Sequence, residues 1–331
     1  MIYRQLGRSD LEVPVVTFGA WAIGGWMWGP SDDELAVAAI KRAVDVGVTA
    51  IDTAAIYGTG HSEEIVGRAV ADVGRDRGLI FTKYGLNWSR EEGEFSFEGP
   101  DREGRPVRIY RNARRDAVVR ECEQSLRRLG TEHIDLYQCH WRDPTTPVEE
   151  TMAAMDKLLK DGKIRAAGVS NFTVEDIEQA NACVPIASDQ PPYSMLRRDA
   201  ENDVLPYCRE HDIGVVVYSP LQRGLLTGKV TMDRTFHERD GRTRDRRFTP
   251  DSRKRVLAFL DRLRPVAEAH GATLAQVVIA WTIRRPGVTA ALVGARSPEQ
   301  VEENARAADL QLSDDELRQI TDEVDQVELE S

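Results

Sequence analysis

Eight short runs rich in Val, Ile and Ala, separated by longer amphipathic stretches, constrain this chain more than any other feature of it. The runs are VVTFGA (Val15–Ala20), TAID (Thr49–Asp52), LIFTK (Leu79–Lys83), IDLYQCH (Ile134–His140), AAGVSN (Ala166–Asn171), IASDQ (Ile186–Gln190), GVVVYSP (Gly214–Pro220) and VTAALVG (Val288–Gly294). Between them, segments such as SDDELAVAAIKRAVDVG repeat apolar residues at helical spacing, with Ser31 as the expected cap and Leu35, Ala38, Ala39 and Ala43 on one face. ARRDAVVRECEQSLRRLG and PVEETMAAMDKLLKDGK follow the same plan, each ending at or beside a glycine suited to a helix C-terminus. Strands alternating with helices imply parallel βαβ units, and eight units predict an α/β fold closed as a (β/α)8 TIM barrel.

A barrel of this kind accounts for a chain of 331 residues, so residues 1–331 read as one domain. The residues up to Pro14 form two short runs around GRSD, read as a β-hairpin closing the barrel floor. Long loops follow strands three and seven, Leu86–Asn112 and Leu221–Asp251, on the side where barrel enzymes carry their active sites.

Charge excludes some functions. Lys and Arg number 44 against 55 Asp and Glu, a net charge of −11, which disfavours nonspecific nucleic-acid binding. No run of 18 apolar residues offers a membrane span, and MIYRQLGRSDLEVPVV lacks the layout of a signal peptide, so the expected location is cytoplasmic. Cys122, Cys139, Cys183 and Cys208 are scattered without ligand spacing, as are the six histidines, so free thiols and no metal are expected. No apolar stripe is left over for a partner, and a monomer is the default.

If the barrel closes, strand C-termini converge on one mouth. Those ends carry Asp52, Lys83, His140, Ser170 with Asn171, Gln190, Tyr218 with Ser219, and Gly294 to Ser297. Tyr57 follows Asp52 in a glycine-bounded loop. A free phenol, with a pKa of about 10, is a sluggish acid or base at neutral pH. A nearby ammonium favours the phenolate, and a carboxylate keeps that ammonium charged and oriented. Asp52, Tyr57 and Lys83 supply such a set, with His140 to hydrogen-bond a substrate oxygen. Taken singly, each has a plainer reading as a turn cap, a packed ring, a solvated strand end or a satisfied histidine; four at one mouth weaken that reading.

Together, IDTAAIYG, FTKYG, DLYQCHW, GVSNF and YSPLQRGLLTGK resemble the aldo-keto reductase superfamily, and within it the bacterial reductases and the potassium-channel β-subunit-like branch. The resemblance runs from the hairpin to about Val324. It implies a barrel that reduces carbonyls with a nicotinamide cofactor, and a catalytic tetrad of Asp52, Tyr57, Lys83 and His140. Tyr57 would be the general acid, Lys83 paired with Asp52 would lower its pKa, and His140 would orient the carbonyl. By the same resemblance Ser170, Asn171 and Gln190 hold the carboxamide, Tyr218 stacks on the nicotinamide, and Asp52 touches its ribose. Ser219, Pro220, Leu221, Gly224 and Lys229 border the pyrophosphate. Arg296 stands where the adenosine 2′-phosphate binds, Gly294 is a further cofactor-binding residue, and Gln300, Glu303 and Asn304 contact the adenine ribose and base. Ser297, Pro298 and Gln300 read as a cap, a first helical residue and a completed capping box. NADPH is the expected cofactor, although many relatives carry a basic residue where Gln300 stands, and NADH is the alternative.

Trp21, Trp26, Trp28, Tyr84, Trp88 and Trp141 are expected to line the substrate pocket with Tyr57 and His140, and Phe95 and Phe97 to add to it. Such a wall suits aldehydes, aryl carbonyls and other small apolar substrates. GTG at Gly58–Gly60 begins like a dinucleotide fingerprint, but Glu63 replaces its third glycine. The basic run His237–Arg255 is interleaved with acids and reads either as a solvated loop or as a flap turning arginines toward the cofactor phosphates. The rival functions are an alcohol or sugar dehydrogenase on the same scaffold, a redox-sensing module of the channel β-subunit kind, and a purely structural barrel. Nothing in the sequence resembles a membrane-partner extension, so a channel-type module is not the expected reading, and the complete tetrad argues against a structural role.

Overall fold

The eight apolar runs do form one closed parallel barrel in the computed structural model, which describes residues 1–101 and 105–327. Two antiparallel strands, β1 (Tyr3–Gln5) and β2 (Glu12–Pro14), come first. The barrel strands are β3 (Val16–Gly19), β4 (Ala50–Asp52), β5 (Leu79–Tyr84), β9 (Ile134–Cys139), β10 (Ile164–Ser170), β11 (Ile186–Gln190), β12 (Gly214–Tyr218) and β13 (Ala290–Gly294). They pair in chain order, and β13 closes on β3 through Leu292–Thr17 and Gly294–Gly19.

Helices α1 (Asp33–Asp45), α2 (His61–Val73), α3 (Arg115–Leu129), α4 (Val148–Lys160), α5 (Val174–Cys183) and α6 (Val204–Glu210) follow the first six barrel strands in turn. After β12 come α7 (Pro250–Ala269) and α8 (Leu274–Thr282), and after β13 come α9 (Pro298–Arg306) and α10 (Asp314–Asp325). The expected C-terminal glycine of α3 is Gly130, left-handed at φ 63°. Two details of α1 differ from expectation. Asp32, not Ser31, caps it by accepting from the Leu35 backbone N–H, while Ser31 Oγ donates to the Ile23 carbonyl. Leu35 faces solvent, because the helix turns Ala36, Val37, Ala39, Ile40, Ala43 and Val44 inward instead.

The hairpin closes the floor. Leu6, Leu11 and Val13 join Ala50, Phe81, Leu136, Ala166, Val216 and Ala290 in the apolar cluster filling the barrel interior. The loop after β5 is a three-stranded antiparallel sheet, β6 (Leu86–Asn87), β7 (Glu94–Pro100) and β8 (Pro106–Arg111), in the order β6-β8-β7; residues 102–104 of that insertion lie outside the described residues, as do residues 328–331 of the span read as one domain. The loop after β12 runs through short 3₁₀ turns, and Trp28 and Asp240 form an antiparallel bridge that fastens it to the loop after β3. No helix among the described residues is long and apolar enough to cross a membrane.

Candidate active site

A cavity of ≈ 600 Å³ opens at the C-terminal ends of the barrel strands. At its base β4 ends on Asp52 and β5 delivers Lys83, both buried. Lys83 Nζ donates to Asp52 Oδ1 at 2.5 Å and to the Thr53 carbonyl at 2.9 Å. Its ammonium stands 5.3 Å from the centre of the Tyr57 ring. His140, the residue after β9, meets Tyr57 edge-on with ring centres 5.9 Å apart. The loop can bring Tyr57 here because Gly58 is left-handed at φ 64°, where a Cβ would stand 2.4 Å from the Gly24 carbonyl oxygen.

Burial dominates the electrostatics. It lowers the Lys83 pKa, against the pull of Asp52 and Glu63. It holds His140 well below its ordinary value, with Lys83 adding to the effect, so the imidazole is neutral at pH 7. The Tyr57 phenol is pushed well above its ordinary value by burial, then by Asp52 and Tyr218. That direction is opposite to the lysine-depressed phenol expected from the sequence: desolvation and the carboxylate outweigh an ammonium already engaged by Asp52. Tyr57 is therefore a phenol that keeps its proton at neutral pH.

The carboxamide candidates form a second group. Ser170 Oγ donates to the Gln190 carbonyl at 2.8 Å, and Asn171 Nδ2 donates to Ser170 Oγ and to the His140 carbonyl, each at 3.0 Å. Tyr218 Oη donates to Asn171 Oδ1 at 2.9 Å. Asn171 is left-handed at φ 59°, a conformation asparagine tolerates better than most residues. Ser219, Pro220, Leu221, Gly224, Lys229, Gly294, Arg296, Gln300, Glu303 and Asn304 all line the same cavity. Lys229 and Glu303 are joined across it at 2.7 Å. The capping box on α9 does not close as expected: Ser297 accepts from the Gln300 N–H, but Gln300 Oε1 accepts from the Arg296 N–H, one residue before the cap.

Of the expected pocket aromatics, Trp21, Trp26, Trp28, Trp141 and Phe97 line the cavity and three do not. Tyr84 is buried against Tyr137, ring centres 4.8 Å apart, on the outer face of β5. Trp88 borders a separate cavity of ≈ 300 Å³ with Ala55, Glu121 and Arg128. Phe95 is exposed and packs edge-on to Tyr110.

Arg223, Arg234 and Phe236, which the sequence did not single out, stand in the cavity wall, and Arg242 of the basic run joins them there. Arg223 stacks on both Trp21 and Trp28, while Arg242 and Arg296 approach Trp28 at 4.8 and 5.8 Å. Asp240 accepts from the Arg242 guanidinium, and Arg223 pairs with Asp240 and Asp245. Burial and the like charge of Arg242 both lower the Arg296 pKa, so this corner would be relieved by an anion. Of the basic run, Arg242 faces the cavity and Arg247 turns to Asp245 and Gln222.

These residues fit a nicotinamide dinucleotide, with hydrogen-bonding side chains and an aromatic ring at the tetrad end and guanidiniums beside a helix N-terminus at the other. The Aldo/keto reductase family model matches residues 15–325. Aldo-keto reductase YhdN of Bacillus subtilis (strain 168) is 40% identical over 304 residues, covering 91% of this chain and 87% of that protein. NADH-specific methylglyoxal reductase of Escherichia coli (strain K12) is 35% identical, covering 93% of this chain and 94% of its own. Among solved structures, the glycerol dehydrogenase AKR11B4 from Gluconobacter oxydans superposes with a TM-score of 0.87 at 39% identity, covering 98% and 95% of the two chains.

Proposed function

The chain belongs to the aldo/keto reductase family and is an oxidoreductase acting on carbonyl or alcohol groups, and from that premise we propose that it reduces small apolar aldehydes and ketones, with NADPH as hydride donor and Tyr57 as the acid. One observation carries the reading: Tyr57 and His140 meet edge-on directly above the buried Lys83–Asp52 pair. A bound nicotinamide supplies hydride to the carbonyl carbon. Tyr57, loaded with its proton because burial raises its pKa, gives that proton to the carbonyl oxygen as negative charge builds there. The phenolate left behind is stabilised by the Lys83 ammonium, whose position Asp52 fixes. Neutral His140 has an N–H to offer the same oxygen and so orients the carbonyl. Trp21, Trp26, Trp141 and Phe97 exclude water and favour an apolar substituent.

Arg296 and Arg242 support NADPH, since a 2′-phosphate between them would relieve their mutual repulsion. The NADH-specific relative points the other way, so Michaelis constants for both cofactors decide the preference; a lower value for NADH would reverse it. NADPH oxidation over a carbonyl panel, wild type against Tyr57→Phe, tests the chemistry, and undiminished turnover in the variant would end this mechanism. The glycerol dehydrogenase neighbour favours a second reading in which the same residues run in reverse, Tyr57 phenolate accepting the alcohol proton. Assays in both directions at one set of cofactor ratios separate the two.

A further inference from the structure

Gln138 is a fully buried amide on β9, two residues before His140. A buried amide is costly unless its partners satisfy it, so those partners reveal its role. Gln138 Nε2 donates to Asp52 Oδ2 at 3.3 Å, and Gln138 Oε1 accepts from Gln190 Nε2 at 3.2 Å. Gln190 Nε2 also donates to Asp52 Oδ2, at 2.8 Å. Side chains from β4, β9 and β11 thus close a triangle inside the barrel, beneath the mouth. Gly168 on β10 leaves room for it: a Cβ there would stand 3.0 Å from Gln138 Cγ and 3.0 Å from Ser188 Oγ.

Chemistry fixes the sense of each bond. The Asp52 carboxylate, with Lys83 on Oδ1, can only accept on Oδ2, so both amides must turn their NH₂ groups toward it. Gln190 therefore spends both N–H bonds, one on Asp52 and one on Gln138, and has only Oε1 left to offer the cavity it lines. Flipping Gln190 would set its oxygen against Asp52 and also against Gln138 Oε1. Without Gln138 only one of those two contacts opposes the flip.

We propose that Gln138 is a positioning residue that locks Gln190 with its carbonyl oxygen toward the cavity, as an acceptor for the N–H of the nicotinamide carboxamide. This rests on the reading of the cavity as a nicotinamide dinucleotide site. Through Asp52 the same amide joins the side chains that hold the cofactor to those that tune proton transfer.

The test follows tryptophan fluorescence on binding of three probes at several pH values: NADP⁺, its 3-acetylpyridine analogue, which has no carboxamide N–H, and 2′,5′-ADP, which has no nicotinamide. Gln138→Leu should weaken NADP⁺ by about 10-fold, the worth of one well-made hydrogen bond. It should leave 2′,5′-ADP unchanged and erase the preference for NADP⁺ over the acetylpyridine analogue. Gln138→Glu keeps an oxygen that accepts from Gln190 Nε2 in either protonation state, so it should retain the preference for NADP⁺ over the acetylpyridine analogue at every pH. Gln138→Leu has no such acceptor and should show no preference at any pH. Equal weakening of all three probes by Gln138→Leu, no weakening at all, or a Gln138→Glu variant that loses the preference as the leucine variant does would each overturn the proposal. A wild-type protein that binds NADP⁺ no better than 2′,5′-ADP would instead remove the dinucleotide reading itself.

Discussion

The two ends of the barrel are built from the same strands and obey opposite rules. At the floor, the interior is filled by Leu6, Leu11 and Val13 of the hairpin against apolar strand residues. At the mouth, the corresponding inward positions are Asp52, Lys83, Gln138 and Gln190, each buried and each hydrogen-bonded to another of the four. The backbone divides the same way. Among the described residues, seven non-glycine residues have positive φ, of which Met27, Thr59, Asn171, Ser219, Gln222 and Arg223 lie in loops after barrel strands and Asp212 precedes one. Such conformations cost on the order of 1 kcal/mol or more each and cluster where geometry matters more than stability. The floor supplies stability by non-directional packing, and the mouth uses part of it to hold directional groups in place.

The largest effect that would break this division is expected from Lys83→Met. Removing the ammonium leaves the Asp52 carboxylate buried without its cation, a loss of about 3–5 kcal/mol in such sites. It also removes the charge next to Tyr57, and turnover should fall on the order of 10³-fold. Denaturant unfolding and kcat measured together check both. A variant that unfolds early yet turns over normally would make the pair purely structural. The floor counterpart is Leu6→Ala, expected to cost about 3 kcal/mol of stability through its cavity while leaving kcat and KM within about twofold. A changed KM would show that the floor is felt at the mouth.

A smaller effect should appear as pH-dependent stability near the mouth. Asp189, on β11 beside Gln190, is buried, and burial pushes its pKa up to about 8. The folded state therefore holds a proton that the unfolded chain releases near pH 4. The stabilisation is complete below pH 4 and is lost as pH rises toward and through 8. Asp189→Asn should flatten unfolding free energy across that window, gaining on the order of 2 kcal/mol at pH 9 relative to wild type. Parallel pH profiles for the two proteins would place the titration elsewhere.

Much of this was legible in the sequence, for physical reasons. Eight apolar runs must be buried and helices must cover them, so the barrel followed; polar residues at their ends then had one place to meet. Lys83 and Tyr84 show where reading stopped short. Adjacent strand residues face opposite ways, so a Lys83 aimed into the barrel already sends Tyr84 outward. The signal for excluding Tyr84 from the pocket was present. For Phe95 against Phe97 it was not, since the shift in register between them in the β7–β8 pairing depends on strand pairing. Arg223 escaped notice, and Arg242 could be read only as one of several arginines of a flap, because they reach the cavity only when the loop after β12 bridges back to Trp28, a contact between segments some 200 residues apart.

The smallest predicted effect sharpens the comparison at the mouth's outer edge, where charge replaces hydrogen bonding. Arg296 does two things: its Nη2 donates to the Trp28 carbonyl at 2.7 Å, and its guanidinium faces Arg242. Losing the first should weaken either cofactor slightly, because it loosens the loop carrying Trp28. Losing the second should weaken only a cofactor bearing the extra phosphate. Arg296→Leu is therefore expected to raise the KM for NADPH about 10-fold more than that for NADH, roughly one charge-assisted contact. The ratio of the two constants is the informative quantity, since the Trp28 contribution cancels in it. An unchanged ratio would reduce Arg296 to a tie for the Trp28 loop and leave Arg242 or Arg234 to answer the phosphate.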